Sequence, residues 1–263
     1  MSKTKIRSLV LISALALLAL AAVARAEVIQ KGNVRVTFQG ELTPKTLPRT
    51  TPAPVKVSVG AKLSAVSAAK PMPSLHQMTI AINRFGKLDT TGLPVCQLED
   101  IQPATTSDAL AVCRRSLVGE GSFTADVPLT GRSPFPSEGK LFAFNGEFEG
   151  KPAVLAHVYG VRPAPASFTL VFLITQGKGT FGTTLKVTLP KVSPEGGSIT
   201  GISLNLSKNF TYHGKQHSFI TASCPAPKGF PGATFPFAKA SFGFIGGQKL
   251  TSTLTRNCKV GGE

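Results

Sequence analysis

The chain has no Trp, 2 Tyr and 4 Cys among its 263 residues, and 13 Asp and Glu against 29 Lys and Arg. Each scarcity excludes something. Without Trp, and with so little Tyr, a sugar-binding platform lacks the rings that stack on sugar C–H faces and whose polar atoms bond hydroxyls. Four Cys without a C-x-x-C knuckle make a poor thiolate zinc site. The four His, at 76, 157, 213 and 217, show no H-E-x-x-H spacing. Gly is plentiful, at 26, but follows no three-residue period, so collagen is excluded. Acid is scarcest in the second half: residues 150–263 carry 12 Lys and Arg against Glu195 and Glu263 alone, whereas residues 27–149 carry 13 against 11. The apolar content and its regular spacing exclude intrinsic disorder, leaving a globular chain.

The one long apolar run is at the start. Lys3, Lys5 and Arg7 precede Ser8 to Val23, and Ala24-Arg25-Ala26 has the small-x-small pattern that signal peptidase subsites accept. Cleavage after Ala26 is expected, making 1–26 a signal peptide and the protein secreted or held in the cell envelope. An uncleaved anchor is the competing reading, because the run is nearly long enough to span a bilayer. No transmembrane segment is expected after cleavage. In an exported chain an even set of Cys reads as two disulfides. Three pairings of Cys96, Cys113, Cys224 and Cys258 exist, and short separation favours Cys96–Cys113 and Cys224–Cys258.

Period-two alternation dominates the rest, as in half-buried strands. Val34, Val36 and Phe38 alternate with polar residues, as do Val55, Val57 and Val59, and Ile202, Leu204 and Leu206. The segment from Phe168 to Ile174 is apolar on both faces and reads as a covered central strand. The only helical signal is one short helix near 106–115, with Thr and Asp side chains to cap its start and Arg114 and Arg115 to suit its end. The fold class is therefore all-β: a disulfide-stapled sandwich of two packed sheets, or a jelly-roll-like variant. Residues 27–263 form a single large domain, with 130–139, containing Pro134 and Pro136, as the possible internal boundary.

Few residues form a site on spacing alone. Gly177 to Gly182 fits G-x-G-x-x-G, but the residues after it alternate and end in Pro190, so a hairpin loop is expected rather than a nucleotide cradle. Ser198 lacks the Gly and helix of a nucleophile elbow. Glu147 and Glu149 share a strand face and could supply a carboxylate pair for glycoside chemistry. The competing expectation is that they face water beside an Asn145-Gly146 turn. His213 and His217 would lie opposite each other across a Gly214-Lys215-Gln216 loop, with Phe210 meeting Ile220, whereas a two-residue loop would put them on different faces; the better apolar pairing favours the first register. Without a nearby acid they make a poor metal site. No metal and no cofactor is expected.

Gly92-Leu93-Pro94-Val95-Cys96, Phe144-Asn145-Gly146, Tyr212-x-Gly214-Lys215-x-x-Ser218 and Cys224-Pro225 resemble segments of uncharacterised exported proteins of high-GC soil actinobacteria. The resemblance implies an exported β protein and brings no activity and no active-site residue.

The functional expectation is an exported, non-catalytic surface or wall-associated module. Its Lys-rich second half would hold an anionic wall or extracellular polymer, not nucleic acid, through Lys178, Lys186, Lys191, Lys208, Lys215, Lys228, Lys239 and Lys249. A carbohydrate-active enzyme or lectin using Glu147 and Glu149, and a structural envelope subunit joined through strand edges, are the alternatives.

Overall fold

Side chains of an extended strand point alternately to opposite faces, so the alternating segments can each bury one side while wetting the other. In the computed structural model, which describes residues 26–189 and 197–261, they do so in eighteen strands. In chain order these are β1 (Glu27–Lys31), β2 (Val34–Thr43), β3 (Thr46–Leu47), β4 (Ala53–Pro54), β5 (Lys56–Ala65), β6 (Leu75–Asn83), β7 (Gly86–Leu88), β8 (Leu117–Leu129) and β9 (Arg132–Phe148). They continue with β10 (Lys151–Gly160), β11 (Ala166–Gln176), β12 (Phe181–Thr188), β13 (Ser198–Leu206), β14 (Asn209–Tyr212), β15 (Lys215–Ser218), β16 (Ile220–Ala222), β17 (Gly232–Phe244) and β18 (Lys249–Val260). Helices α1 (Leu98–Ile101) and α2 (Thr106–Cys113) fall between β7 and β8.

Thirteen strands form one sheet in the order β1-β2-β5-β13-β8-β9-β10-β11-β12-β6-β17-β18-β3, antiparallel except where β3 meets β18. The sheet curls until β1 lies against β18. Gln248 Nε2 donates to the Lys31 carbonyl at 2.5 Å across this seam, and Arg256 Nε to the Gly40 carbonyl at 2.6 Å. The layers of the expected sandwich are thus walls of one continuous sheet. Phe38 of β2 meets Phe242 of β17 edge-on across the interior, with ring centroids 6.1 Å apart. Two small sheets, β14-β15 and β4-β16-β7, sit outside the main one. Among the described residues no helix is long and apolar enough to cross a membrane.

The expected helix is α2, capped by Thr105 Oγ1, which accepts from the Asp108 amide at 3.3 Å. Together with α1 it covers the outer face of β9, β10 and β11, where Ile101, Ala109, Phe142, Phe144 and Leu155 form a second apolar cluster. That cover explains why β10 is apolar on both sides. Cys96–Cys113 fastens this helical cap and Cys224–Cys258 fastens the chain after β16 to β18, with Cα atoms 5.5 and 5.7 Å apart. Closing loops of 17 and 34 residues stabilises the fold by about 3 and about 4 kcal/mol on chain-entropy grounds.

Three local expectations are corrected. Residues 130–139 are no boundary: Thr130-Gly131 turns directly from β8 into β9, with Leu129 opposite Arg132. Segment 132–139 reaches past the β10 ladder and pairs with β8 alone, and on such a free edge Pro134 and Pro136 cost no ladder bond. Asn145-Gly146 is not a turn but lies inside β9. The Asn145 amide donates to the Pro94 carbonyl at 3.0 Å, and Gly146 lets the Cys96 backbone approach so closely that a Cβ would sit 2.9 Å from its oxygen. The turn falls four residues later at Glu149-Gly150, both with positive φ (52° and 72°). Finally, the β14–β15 loop has two residues, not three. His213 and Gly214, at φ 49° and 72°, make the tight turn whose twist suits a hairpin, so Tyr212 pairs with Lys215 and Phe210 with His217.

Candidate functional site

The outer face of β12, β6, β17 and β18 is the surface on which the second-half cations meet an ordered scaffold. Register lines its residues up in rows across the four strands. One row runs Lys186, Thr79, Ser241, Thr251; the next runs Thr184, Ala81, Lys239, Thr253; the third runs Thr188, Gln77, Gly243, Lys249. Each row carries one Lys, on a different strand. Ideal strand spacing and rise put the three Cα atoms roughly 12 to 16 Å apart. All three Lys are exposed while the adjacent Leu185, Val187, Ala238, Ala240 and Leu250 are buried, which fixes the face as the outer one. Hydroxyls fill the space between, and Ser241 Oγ and Thr251 Oγ1 lie 3.3 Å apart.

None of these four strands contains Asp or Glu. Among the described residues Lys186, Lys239 and Lys249 have no ion-pair partner. The side chains therefore present uncompensated charge and free donors. Lys178, in the β11–β12 turn, and Lys228, in the loop before β17, are exposed but lie off this face. Lys208 and Lys215 flank the β14–β15 hairpin, and Lys191 lies outside the described residues. The seven candidate Lys among the described residues thus resolve into one ordered set of three and four others off that face.

The remaining candidates separate. Glu147 is the penultimate residue of β9, whereas Glu149 sits in the following turn with positive φ, so the two do not share a strand face. Gly177 to Gly182 closes a hairpin, the Gly177 amide donating to the Gly182 carbonyl at 2.8 Å, and β12 rather than a helix follows. Ser198 Oγ donates to the Met72 carbonyl at 3.4 Å. Cys96, Asp100 and Cys113 come within ligand distance of one another, but both sulfurs are spent in a disulfide.

His213 and His217 are not opposed, because His213 is part of the turn. His217 does have the acid that the sequence did not reveal: its Nδ1 lies 3.2 Å from Asp89 Oδ2, supplied from 128 residues away by the segment after β7. Phe210 stacks on its other side at 5.4 Å. Burial alone would push the Asp89 carboxyl up, but the Thr91 amide, His217 and the Thr91 hydroxyl outweigh it and hold it below its ordinary value. Two side chains make a hydrogen-bonded clamp on the hairpin, not a metal cage.

No protein family, curated protein or solved structure matches this chain.

Two interior features complete the inventory. His157 is fully buried between α1 and the sheet; its Nδ1 lies 3.0 Å from the Ile101 carbonyl, while Nε2 and the neighbouring Thr169 Oγ1 have no partner among the described residues. Burial pushes the imidazole below its ordinary value, and the Ile101 carbonyl opposes this only in part. Between the walls of the curled sheet lies an apolar cavity of about 70 Å³. Left empty, it costs about 1.7 kcal/mol at roughly 24 cal/mol per Å³.

Proposed function

We propose that the protein is an exported, non-catalytic binding module that holds an anionic wall or extracellular polymer against the outer face of β12, β6, β17 and β18. The observation that carries this reading is the acid-free face itself, on which Lys186, Lys239 and Lys249 stand unpaired among hydroxyls. A single exposed Lys–anion contact in water stabilises little. A polymer that engages three at once gains from each, and its later contacts are intramolecular. The hydroxyls of Thr79, Ser241 and Thr251 offer further donors to phosphate or carboxylate oxygens between the cations. Spacing beyond a Debye length keeps the three ammonium groups from repelling one another strongly at physiological salt.

Retention on purified cell wall, measured across a salt series, tests the proposal. Retention falls as salt rises, and joint Lys186→Glu, Lys239→Glu and Lys249→Glu substitution lowers it on the order of 100-fold, at roughly 1 kcal/mol per cation. Reversal of Lys178 and Lys228, off the face, has the smaller effect. Binding that ignores salt, or that survives the triple reversal, overturns the reading.

A further inference from the structure

Protein interiors pack without voids larger than a water molecule, yet this one keeps a cavity of about 70 Å³ at its centre. Val57 and Val59 of β5 and Ile202 and Leu204 of β13 line one wall, and Ile80 and Ile82 of β6 line the facing one. All six point inward and remain only partly buried, because they face the space rather than one another. Nothing polar offers water its two or more hydrogen bonds, so the space excludes water and suits carbon.

The apolar path does not stop there. Val57, Ile82, Ile220 and Phe237 also border a second apolar space of about 20 Å³, whose wall includes Val55. Val55 in turn helps form an open depression together with Lys56 and Lys208. Along one direction the surroundings change from apolar to cationic.

We propose that this interior takes the short hydrocarbon tail of a small fatty acid, with the carboxylate held at Lys56 and Lys208. The site is distinct from the outer face of β12, β6, β17 and β18 and stands whether or not that face binds polymer. A tail displaces no bound water and supplies the contacts the six aliphatic side chains lack. The two Lys make an anionic head preferable to a neutral one.

Isothermal titration of the full protein with the straight-chain carboxylates propanoate to decanoate tests this. Affinity rises about fourfold per added methylene until the cavity is filled, then levels off, with one molecule bound per chain. Val59→Phe and Leu204→Phe, made separately, fill the space and lower affinity at least about tenfold, with the thermal midpoint of each variant unchanged or raised. Lys56→Glu with Lys208→Glu, both outside the core, weakens the carboxylate but leaves the alcohol of the same chain length unaffected. Absence of saturable binding to the unsubstituted protein overturns the proposal. So does binding that climbs with chain length without levelling off and ignores the cavity-filling variants, since that is surface adsorption.

Discussion

His157 shows how a residue can be fully buried in a fold and unremarkable in its sequence. Within the Ala153–Tyr159 alternation it reads as one more half-buried position, but α1 closes over it and leaves its Nδ1 to meet the Ile101 carbonyl. With Nδ1 donating, Nε2 is the bare nitrogen, and protonating it would bury a charge without a partner. The imidazole is held below its ordinary value near 6.5, so between the folded value and 6.5 the unfolded chain binds more protons than the native one. Stability linked to this group is therefore full above about pH 6.5 and is lost as pH falls toward the lower, native value. Urea midpoints taken between about pH 7.5 and 5.5 should fall less for His157→Gln, whose amide can still donate to the Ile101 carbonyl, than for the natural chain. Equal slopes would show that His157 does not titrate with folding.

At the scale of elements, the alternating segments were legible because period two is a local property: β2, β5, β6, β11 and β13 all lie where the pattern puts them. Hairpin register was less legible. The His213-Gly214 turn competes with a three-residue loop that pairs Phe210 with Ile220, and apolar matching favours the latter. The structure instead sends Ile220 to a separate small sheet against Leu88 and stacks Phe210 on His217. The candidate face follows the same division. Its Lys were readable, but their alignment into rows depends on β6 inserting between β12 and β17, a pairing of strands far apart in the chain. The pairing of β8 with β13 rests on a similarly hidden constraint. A Cβ at Gly121 would lie 1.9 Å from the Ser203 carbonyl oxygen, so the two backbones can meet only over hydrogen. Gly121→Ala should destabilise by about 3 kcal/mol, whereas Gly243→Ala, whose Cβ would find its nearest atom at 3.7 Å, should stay within about 0.5 kcal/mol. Denaturant titration of the two variants side by side checks this.

At the scale of the whole molecule, one sheet curled on itself accounts for several features together. It buries a common interior, leaves a seam between β1 and β18 closed by side chains rather than a ladder, and turns an acid-free set of strands outward. The cysteines fit the same plan: one pair secures the helical cap over β9, β10 and β11, the other secures β18 near the seam. Sequence proximity was enough to pair them because each staples a local excursion, not two distant walls.

A sheet that does not close completely must also avoid recruiting copies of itself. The projecting part of β9, residues 132–139, has no strand paired on one side among the described residues, and unpaired strand edges are templates for uncontrolled growth into aggregates. Pro134 and Pro136 have no amide hydrogen to offer an incoming strand, and they stand at alternate positions along that edge. They withhold from that edge the donors that pairing with a second copy would use. Replacing both with Thr restores two donors and should produce concentration-dependent oligomers in sedimentation or light scattering, with the β8–β9 ladder intact; a variant that stays monomeric would show that the edge is protected by something other than its prolines.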